Sequence, residues 1–164
     1  MKTLIVGLGN PILTDDGVGV RVAYEVEKAL HATPSSMADV HVTEASVGGL
    51  RLMEMMVGYD RAIIVDALME QNGAPPGVVQ RLTLADLRAI SPTQHSASAH
   101  DTTLITALDS GREMGLHLPQ EVVIYAITVA NVLDFSEEMT PAVAAAVPKV
   151  VTAVLAELTS SPGC

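Results

Sequence analysis

The sequence predicts an α/β fold, a three-layer α/β/α sandwich built on a twisted, mostly parallel sheet of about five strands with helices on both faces. Short apolar runs typical of buried strands alternate with segments whose apolar residues recur at helical spacing. Hydrophobic residues make up 49% of the chain and aromatic residues 2%, so aliphatic side chains must build the core. The 164 residues suffice for one domain, which we expect over 1–159, followed by a flexible tail at 160–164.

The first half of the chain predicts strands and helices in alternation. A continuous apolar run predicts a buried strand over Thr3 to Gly7. Helical spacing then predicts a helix with an inward face of Val18, Val22, Val26, Ala29 and Leu30. Val40 and Val42 alternate with polar residues and predict a strand that is open to solvent on one side. A short helix is expected next, opened by Gly48-Gly49 and closed near Gly58.

The middle of the chain predicts the centre of the sheet. Ala62 to Val65 is fully apolar and is expected to form a central parallel strand that ends at Asp66. Gly73 to Gly77 is rich in glycine and proline and predicts a turn. The remaining predicted strand, helix and strand cover, in chain order, Val78 to Leu84, His100 to Gly115 and Val122 to Val129.

A final helix is predicted to begin after Thr140. Threonine is a good N-cap residue, and Pro141 suits the first helical position. Apolar residues from Val143 to Leu158 form one stripe along this helix. Pro148 lies inside the stripe and is expected to kink the helix or divide it into two.

Composition excludes several classes of function. The net charge of −10 opposes binding to a nucleic-acid backbone. The N-terminus has too few apolar residues for a signal peptide, and the longest apolar stretch, Val122 to Ala130, is about half of a membrane span. We therefore expect a soluble, cytoplasmic protein with no nucleic-acid or membrane partner. The single cysteine, Cys164, is the last residue and is expected to play no part in the chemistry.

Acidic residues follow two of the predicted strands. The turn after the first strand begins with Gly7-Leu8-Gly9, like a nucleotide-binding turn, but Asp15 and Asp16 follow where a pyrophosphate would be repelled. Asp66 ends the middle strand. Ligands of a doubly wound sheet bind beyond the C-terminal ends of its strands, so these acids should face one crevice. Taken singly, each acid could instead be a helix cap or a loop residue.

Two histidines precede the next predicted helix. His95 and His100 flank the sequence "SASA". Two carboxylates and one imidazole would form a weak, exchangeable site for a divalent first-row metal. A carboxylate pair beside a peptide bond could alternatively activate a water molecule as general base. Both chemistries remain open on the residues alone.

Four motifs, in order, resemble the hydrogenase maturation proteases over almost the whole chain. They are "GLGNPILTDDGVGVRV", "AIIVDAL", "SAHDTTLITAL" and "FSEEMTPAVAAAVPKVVTAVL". The resemblance implies an α/β/α sandwich and an endopeptidase. Its substrate would be the precursor of a [NiFe] hydrogenase large subunit, from which it removes a C-terminal extension after nickel insertion.

The resemblance also implies which residues recognise the metal and carry out catalysis. By motif position these are Asp16, Asp66 and His100, with His100 preferred to His95 because it stands in the "S-x-H-D" register. Asp15 is expected to shape the turn. Nickel would be carried by the precursor and ligated transiently, with no organic cofactor, and the enzyme would be a monomer.

Two alternatives are weighed against this assignment. Peptidyl-tRNA hydrolases share the start from Gly7 to Pro11, but "TDDG" stands where that family has a threonine, an arginine and its catalytic histidine. The acidic charge also disfavours an esterase that acts on tRNA. The second alternative is a non-catalytic, nickel-sensing metallochaperone that uses the same three ligands without cutting a peptide.

Overall fold

The structure is a computed structural model that describes residues 1–32, 39–69, 73–89 and 99–160, with the backbone alone for 99–103. In these parts of the chain the strands are β1 Thr3–Leu8, β2 Val40–Ala45, β3 Arg61–Met69, β4 Val79–Thr83 and β5 Glu121–Val129. The α-helices are α1 Val18–Ala32, α2 Gly49–Met56, α3 Leu84–Ala89, α4 Ala99–Glu113 and α5 Pro141–Thr159. A turn of 3-10 helix at Thr14–Gly17 leads into α1.

The strands form one sheet in the order β2-β1-β3-β5-β4. β1 pairs in parallel with β2 and β3, and β3 pairs in parallel with β5, whereas β4 is antiparallel to β5 at the edge. The predicted mostly parallel sheet of about five strands is therefore confirmed. From β1 the chain passes to β2 on one side and later to β3 on the other, so the order reverses between β1 and β3. Such a switch point is where doubly wound sheets bind ligands.

The helices cover both faces of this sheet, because alternate strand residues point to opposite sides. On one face, Val6 and Ile64 join a buried cluster with Leu52 of α2 and Leu108 of α4. On the other face, the cluster includes Ile5 and Ile63 together with residues of α1 and α5. The predicted three-layer sandwich is thus confirmed, and the two cores lie on either side of the sheet.

The prediction that the middle strand ends at Asp66 is wrong. β3 continues to Met69 because β5 pairs with it over its whole length, from Arg61 to Met69. Pairing with β1 stops at Val65. Asp66 is therefore an interior residue of β3, just past the last residue of β3 that pairs with β1.

Helix α3 was not predicted from the sequence. The strand that is predicted to reach Leu84 ends at Thr83, and α3 begins at Leu84. The Asp86 carboxylate accepts from the Thr83 N–H at 2.7 Å, and the Thr83 hydroxyl accepts from the Asp86 N–H at 3.2 Å. The sequence contains the pattern of this capping box, because threonine followed three residues later by an acid is typical of a helix start.

Helix α5 runs without interruption through Pro148, so of the two predicted outcomes, a kink or a division, the division is wrong. Thr140 holds the N-cap position, but its side chain makes no cap hydrogen bond. In the described part of the chain, α5 alone has the length and mean hydropathy, 1.6, that a membrane span requires. Core helices of soluble proteins meet the same criterion, and the α5 stripe of Val143, Val147, Val150 and Val154 is buried in the core.

The end of α5 is tied to the sheet through a buried arginine. The Arg61 guanidinium, 4% exposed, donates to the Glu157 carboxylate at 2.5 Å and to Glu121 at 3.0 Å. Glu157 also accepts from Arg81 and, at 3.0 Å, from the Tyr125 hydroxyl. The hydrogen bond from Arg81 lowers the pKa of Glu157, while burial and the Glu157 carboxylate raise the pKa of Tyr125 to about 12. One carboxylate thus joins α5 to β3, β4 and β5.

Candidate active site

The glycines after β1 serve close backbone packing. A Cβ atom added to Gly7 would lie 2.2 Å from the Gly19 carbonyl oxygen. One added to Gly19 would lie 2.3 Å from the Val65 carbonyl oxygen and 2.4 Å from that of Leu8. The first turn of α1 is therefore in close contact with the end of β1 and with Val65 inside β3. The glycine-rich turn that resembles a nucleotide-binding turn therefore allows α1 to pack closely on β1 and β3. This packing places the 3-10 turn beside β3.

Asp15 joins the turn to the loop that follows β5. Its side chain has no exposed area and accepts from the N–H groups of Ala130 and Asn131 at 3.0 Å each. It also accepts from the Thr140 N–H at 2.7 Å and from the Thr140 hydroxyl at 2.8 Å. Burial alone would raise the pKa of Asp15, but the hydrogen bonds from Thr140, Asn131 and Ala130 outweigh it and lower the pKa. Asp15 shapes the turn, as the sequence predicted, and explains why the Thr140 hydroxyl does not cap α5.

Asp16 is the second acid of the 3-10 turn that follows β1. It is half-buried, and its Oδ2 accepts from the Asn10 N–H at 2.8 Å. A Cβ atom added to Gly9 would lie 3.7 Å from the Asp16 carboxyl carbon. This hydrogen bond orients the carboxylate across the end of β1 and uses one of its two oxygens.

Asp66 lies at the same edge of the sheet. It is 6% exposed, and its Oδ1 accepts from the Ala67 N–H at 2.8 Å. Because Gly19 contacts Val65, the start of α1 abuts the residue just before Asp66. By strand alternation, Asp66 lies on the face of β3 that carries Ala62 and Ile64, which is the face covered by α2 and α4. The 3-10 turn that carries Asp16 lies against β3, which carries Asp66. Their meeting in one site stays a prediction.

The third predicted ligand is placed only through its backbone. His100 is the second residue of α4. Since α4 leads into β5, which is parallel to β3, the N-terminus of α4 is at the same sheet edge as Asp66. The His100 side chain and the whole of His95 lie outside the described residues. Among the side chains that are described, no group of three or more His, Cys, Asp or Glu could hold a metal ion. The histidine ligand stays a prediction.

The loop at 130–140 is bonded to the 3-10 turn. The family motif that begins at Phe135 covers part of this loop, but it does not predict this contact. The Thr14 N–H donates to the Ser136 carbonyl at 2.9 Å, and the Thr14 hydroxyl donates to the Asp134 carbonyl at 2.6 Å. These bonds, with those of Asp15, hold the loop along the 3-10 turn. The available signal was the chain's single phenylalanine, Phe135, next to Asp134 and close to Glu137 and Glu138.

Replacing Gly19 by alanine is expected to destabilise the protein by about 2 kcal/mol, because the new methyl group must push α1 away from two backbone carbonyls. The same shift would move Asp16 relative to Asp66 and lower activity. Urea unfolding monitored by circular dichroism measures the first effect. Gly58→Ala is the matched control for a glycine replacement, since nothing lies within 4 Å of its added Cβ, although its positive φ of 88° adds some strain. Equal stability of Gly19→Ala and the wild type would contradict the packing role.

Comparison with known proteins identifies the family. A family model described as "Hydrogenase maturation protease" matches residues 20–157. The chain belongs to the hydrogenase maturation protease family. The family resemblance found in the motifs is therefore confirmed, and with it an endopeptidase activity.

Individual members of the family match more of the chain than the family model does. The hydrogenase 2 maturation protease of Escherichia coli (strain K12) is 27% identical over 161 residues, which cover 98% of this chain and 93% of the relative. A putative hydrogenase maturation protease of Methanocaldococcus jannaschii is 28% identical and covers 94% of this chain and 95% of its own length. The solved structure of the hydrogenase maturating endopeptidase HybD from E. coli matches with a TM-score of 0.76 and 27% identity, covering 97% of this chain and 93% of that one. These alignments span nearly the whole maturation protease, the acidic turn before residue 20 included.

Proposed function

We propose that this hydrogenase maturation protease recognises nickel in the large-subunit precursor through Asp16, Asp66 and His100, and then cleaves the C-terminal extension. Family membership supports the hydrolytic activity and the precursor as substrate. The observation that supports the residue assignment is that the turn carrying Asp16 lies against β3, the strand of Asp66, next to the switch point between β1 and β3. The family match favours the protease over the esterase and the metallochaperone.

The chemistry of the two acids suits a cation that arrives with the substrate. Carboxylate oxygens and an imidazole form a hard-to-borderline donor set that accepts divalent first-row metals. Backbone N–H groups help to orient the acids: Asn10 donates to Asp16, and Ala67 donates to Asp66. A site that held its own metal tightly could not sense the metal of its client. A weak site of two acids and one histidine would bind only when the precursor supplies the ion.

Docking of the nickel would bring the adjoining peptide bond to the same acids. A water molecule then attacks the peptide carbonyl carbon, and a carboxylate accepts the proton that the water loses. The proton passes to the amide nitrogen as the C–N bond breaks, which releases the extension. The precursor's nickel supplies polarisation of the carbonyl oxygen where it lies close enough. Hydrolysis is thus aspartate-assisted, with the metal as part of the substrate.

The experiment that tests this function compares two forms of the precursor. Purified enzyme is incubated with nickel-loaded and with nickel-free large-subunit precursor, and the C-terminus is read by mass spectrometry. We expect shortening of the nickel-loaded form alone. Equal cleavage of both forms would contradict nickel recognition while leaving the protease intact. Nickel transfer without shortening would favour the metallochaperone, and hydrolysis of peptidyl-tRNA would favour the esterase.

The same preparation tests the solution state. We propose a cytoplasmic monomer that acts without an organic cofactor, as the family resemblance implies. Light scattering of the purified enzyme should give the mass of one chain.

A further inference from the structure

Three exposed apolar side chains stand on the two loops that border the acid pair. They are Ile12, 46% exposed, and Leu133 and Phe135, each 83% exposed. We refer to these three residues as the apolar rim. Phe135 is the only phenylalanine of the chain, which has no tryptophan. The largest aromatic hydrocarbon side chain of the protein is therefore in water instead of in the core, where it would add most to stability.

The loop that carries the apolar rim is held in a defined conformation. The Asn131 side-chain carbonyl accepts from the Leu133 N–H at 3.0 Å and from the Asp134 N–H at 3.2 Å. The Ser136 N–H donates to the Ile12 carbonyl at 3.0 Å, so the two loops of the rim are bonded to each other. Because the backbone on both sides of Phe135 is fixed, its exposure follows from the fold.

The apolar rim is close to the acids. Thr14 is two residues from Asp16 and hydrogen-bonds to both sequence neighbours of Phe135. Two residues span at most about 7 Å, and hydrogen-bonded chains lie about 5 Å apart, which puts the Phe135 backbone within about 15 Å of Asp16. An extended peptide covers this distance in about five residues. Any peptide whose scissile bond lies at Asp16 and Asp66 therefore has flanking residues within reach of the rim.

Charge around the apolar rim indicates which segment fits it. The loop at 130–140 contains Asp134, Glu137 and Glu138 and no lysine or arginine. An apolar side chain with basic neighbours would find both an apolar contact and opposite charge there. A second copy of this chain, at −10 net charge, would be repelled and would also cover the crevice that the substrate has to enter.

We propose that the apolar rim docks an apolar side chain of the precursor, one with lysine or arginine neighbours, within a few residues of the bond that is cleaved. This inference rests on the proposed function and extends it from the metal to the polypeptide. The rim residues act as specificity determinants, since they bind the segment that flanks the reacting atoms. Burial of one such side chain against Phe135 and Leu133 corresponds to a roughly tenfold to hundredfold gain in affinity.

The test measures KM and kcat separately on the nickel-loaded precursor. The double variant Leu133→Ala/Phe135→Ala is expected to raise KM by roughly tenfold or more and to leave kcat within about twofold, because the acids are untouched. Met114→Ala is the matched control. Met114 is 65% exposed beside the last turn of α4, at the opposite edge of the sheet, and its replacement should change neither constant. Leu133→Met/Phe135→Leu keeps the apolar character and is expected to restore KM to near the wild-type value.

The outcomes separate this inference from the proposed function. If the wild type does not shorten the precursor at all, the proposed function fails. If the wild type cleaves and the alanine variant cleaves with unchanged KM, the docking inference alone is overturned. A fall in kcat at constant KM would also overturn it, because that result assigns the rim to catalytic geometry. Reversing the charge of the loop, with Glu137→Lys/Glu138→Lys, should raise KM above the wild-type value, most strongly at low salt. An unchanged or lower KM would contradict the proposal that the docked side chain has basic neighbours.

Discussion

Replacing Asp16 or Asp66 by alanine is expected to abolish cleavage of the nickel-loaded precursor, with a loss of at least about a thousandfold in kcat/KM. Each substitution removes a charged oxygen donor from the crevice between β1 and β3, and with it the proposed metal contact and one candidate base. The fold should survive, since neither carboxylate is part of the two apolar clusters that pack the helices against the sheet. Product formation is followed by mass spectrometry of the precursor C-terminus.

Asparagine variants separate charge from shape at these two positions. Asp16→Asn and Asp66→Asn retain an oxygen that can accept the same backbone hydrogen bond, so a loss of activity in them reports the missing charge. Asp39→Asn is the matched control, because Asp39 is 62% exposed next to the start of β2, at the opposite edge of the sheet. Wild-type cleavage by both alanine variants would remove Asp16 and Asp66 from the site.

Replacing Asp15 by alanine is expected to lower the free energy of unfolding by about 3 to 5 kcal/mol, the range for removing one partner of a buried charged network. The N–H groups of Ala130, Asn131 and Thr140 would lose their common acceptor inside the protein. The loop at 130–140 would then separate from the turn. Activity should fall as well, because Asp16 adjoins the disturbed residue. Chemical unfolding followed by circular dichroism measures the change in stability.

Acid titration gives an independent readout of Asp15. Its pKa in the folded protein is below the ordinary value of 3.8, so its contribution to stability is present above that pH and is lost as the pH falls through the lowered pKa. The Asp15→Ala variant should therefore lose less stability than the wild type on acidification below about pH 4. Asp16→Ala is the control, with an expected loss near 1 kcal/mol for its one part-buried hydrogen bond. Similar losses for the two variants would contradict the central role of Asp15.

The local sequence pattern predicts well those strands that are buried on both faces. The buried runs of β1 and β5 are apolar at nearly every position because helices cover both faces of the sheet. The limits of β3 were predicted less well. Its last residues from Asp66 to Met69 are held by β5 after β1 has ended, and no local pattern reports the length of a neighbouring strand. Helix α3 was missed although Thr83 and Asp86 carried its capping box.

The roles of Asp15 and Asp16 also depend on contacts that the local sequence does not report. The sequence placed Asp15 and Asp16 together, and motif position distinguished the second as the site residue. Only the folded chain shows why the first is needed, since its donors Asn131 and Thr140 are more than a hundred residues away. The sequence also does not predict that Phe135 is exposed, because a single aromatic residue is usually expected in the core.

By itself the sequence determined the fold class and the family, because these depend on periodicity and on motifs that are contiguous in the chain. Tertiary structure decided the rest. It set the different hydrogen-bond partners of Asp15 and Asp16, the backbone contact of Gly19 with Val65, and the position of the 130–140 loop beside the 3-10 turn. Each of these depends on contacts between residues distant in sequence, and such contacts exist only once the sheet has brought the loops together.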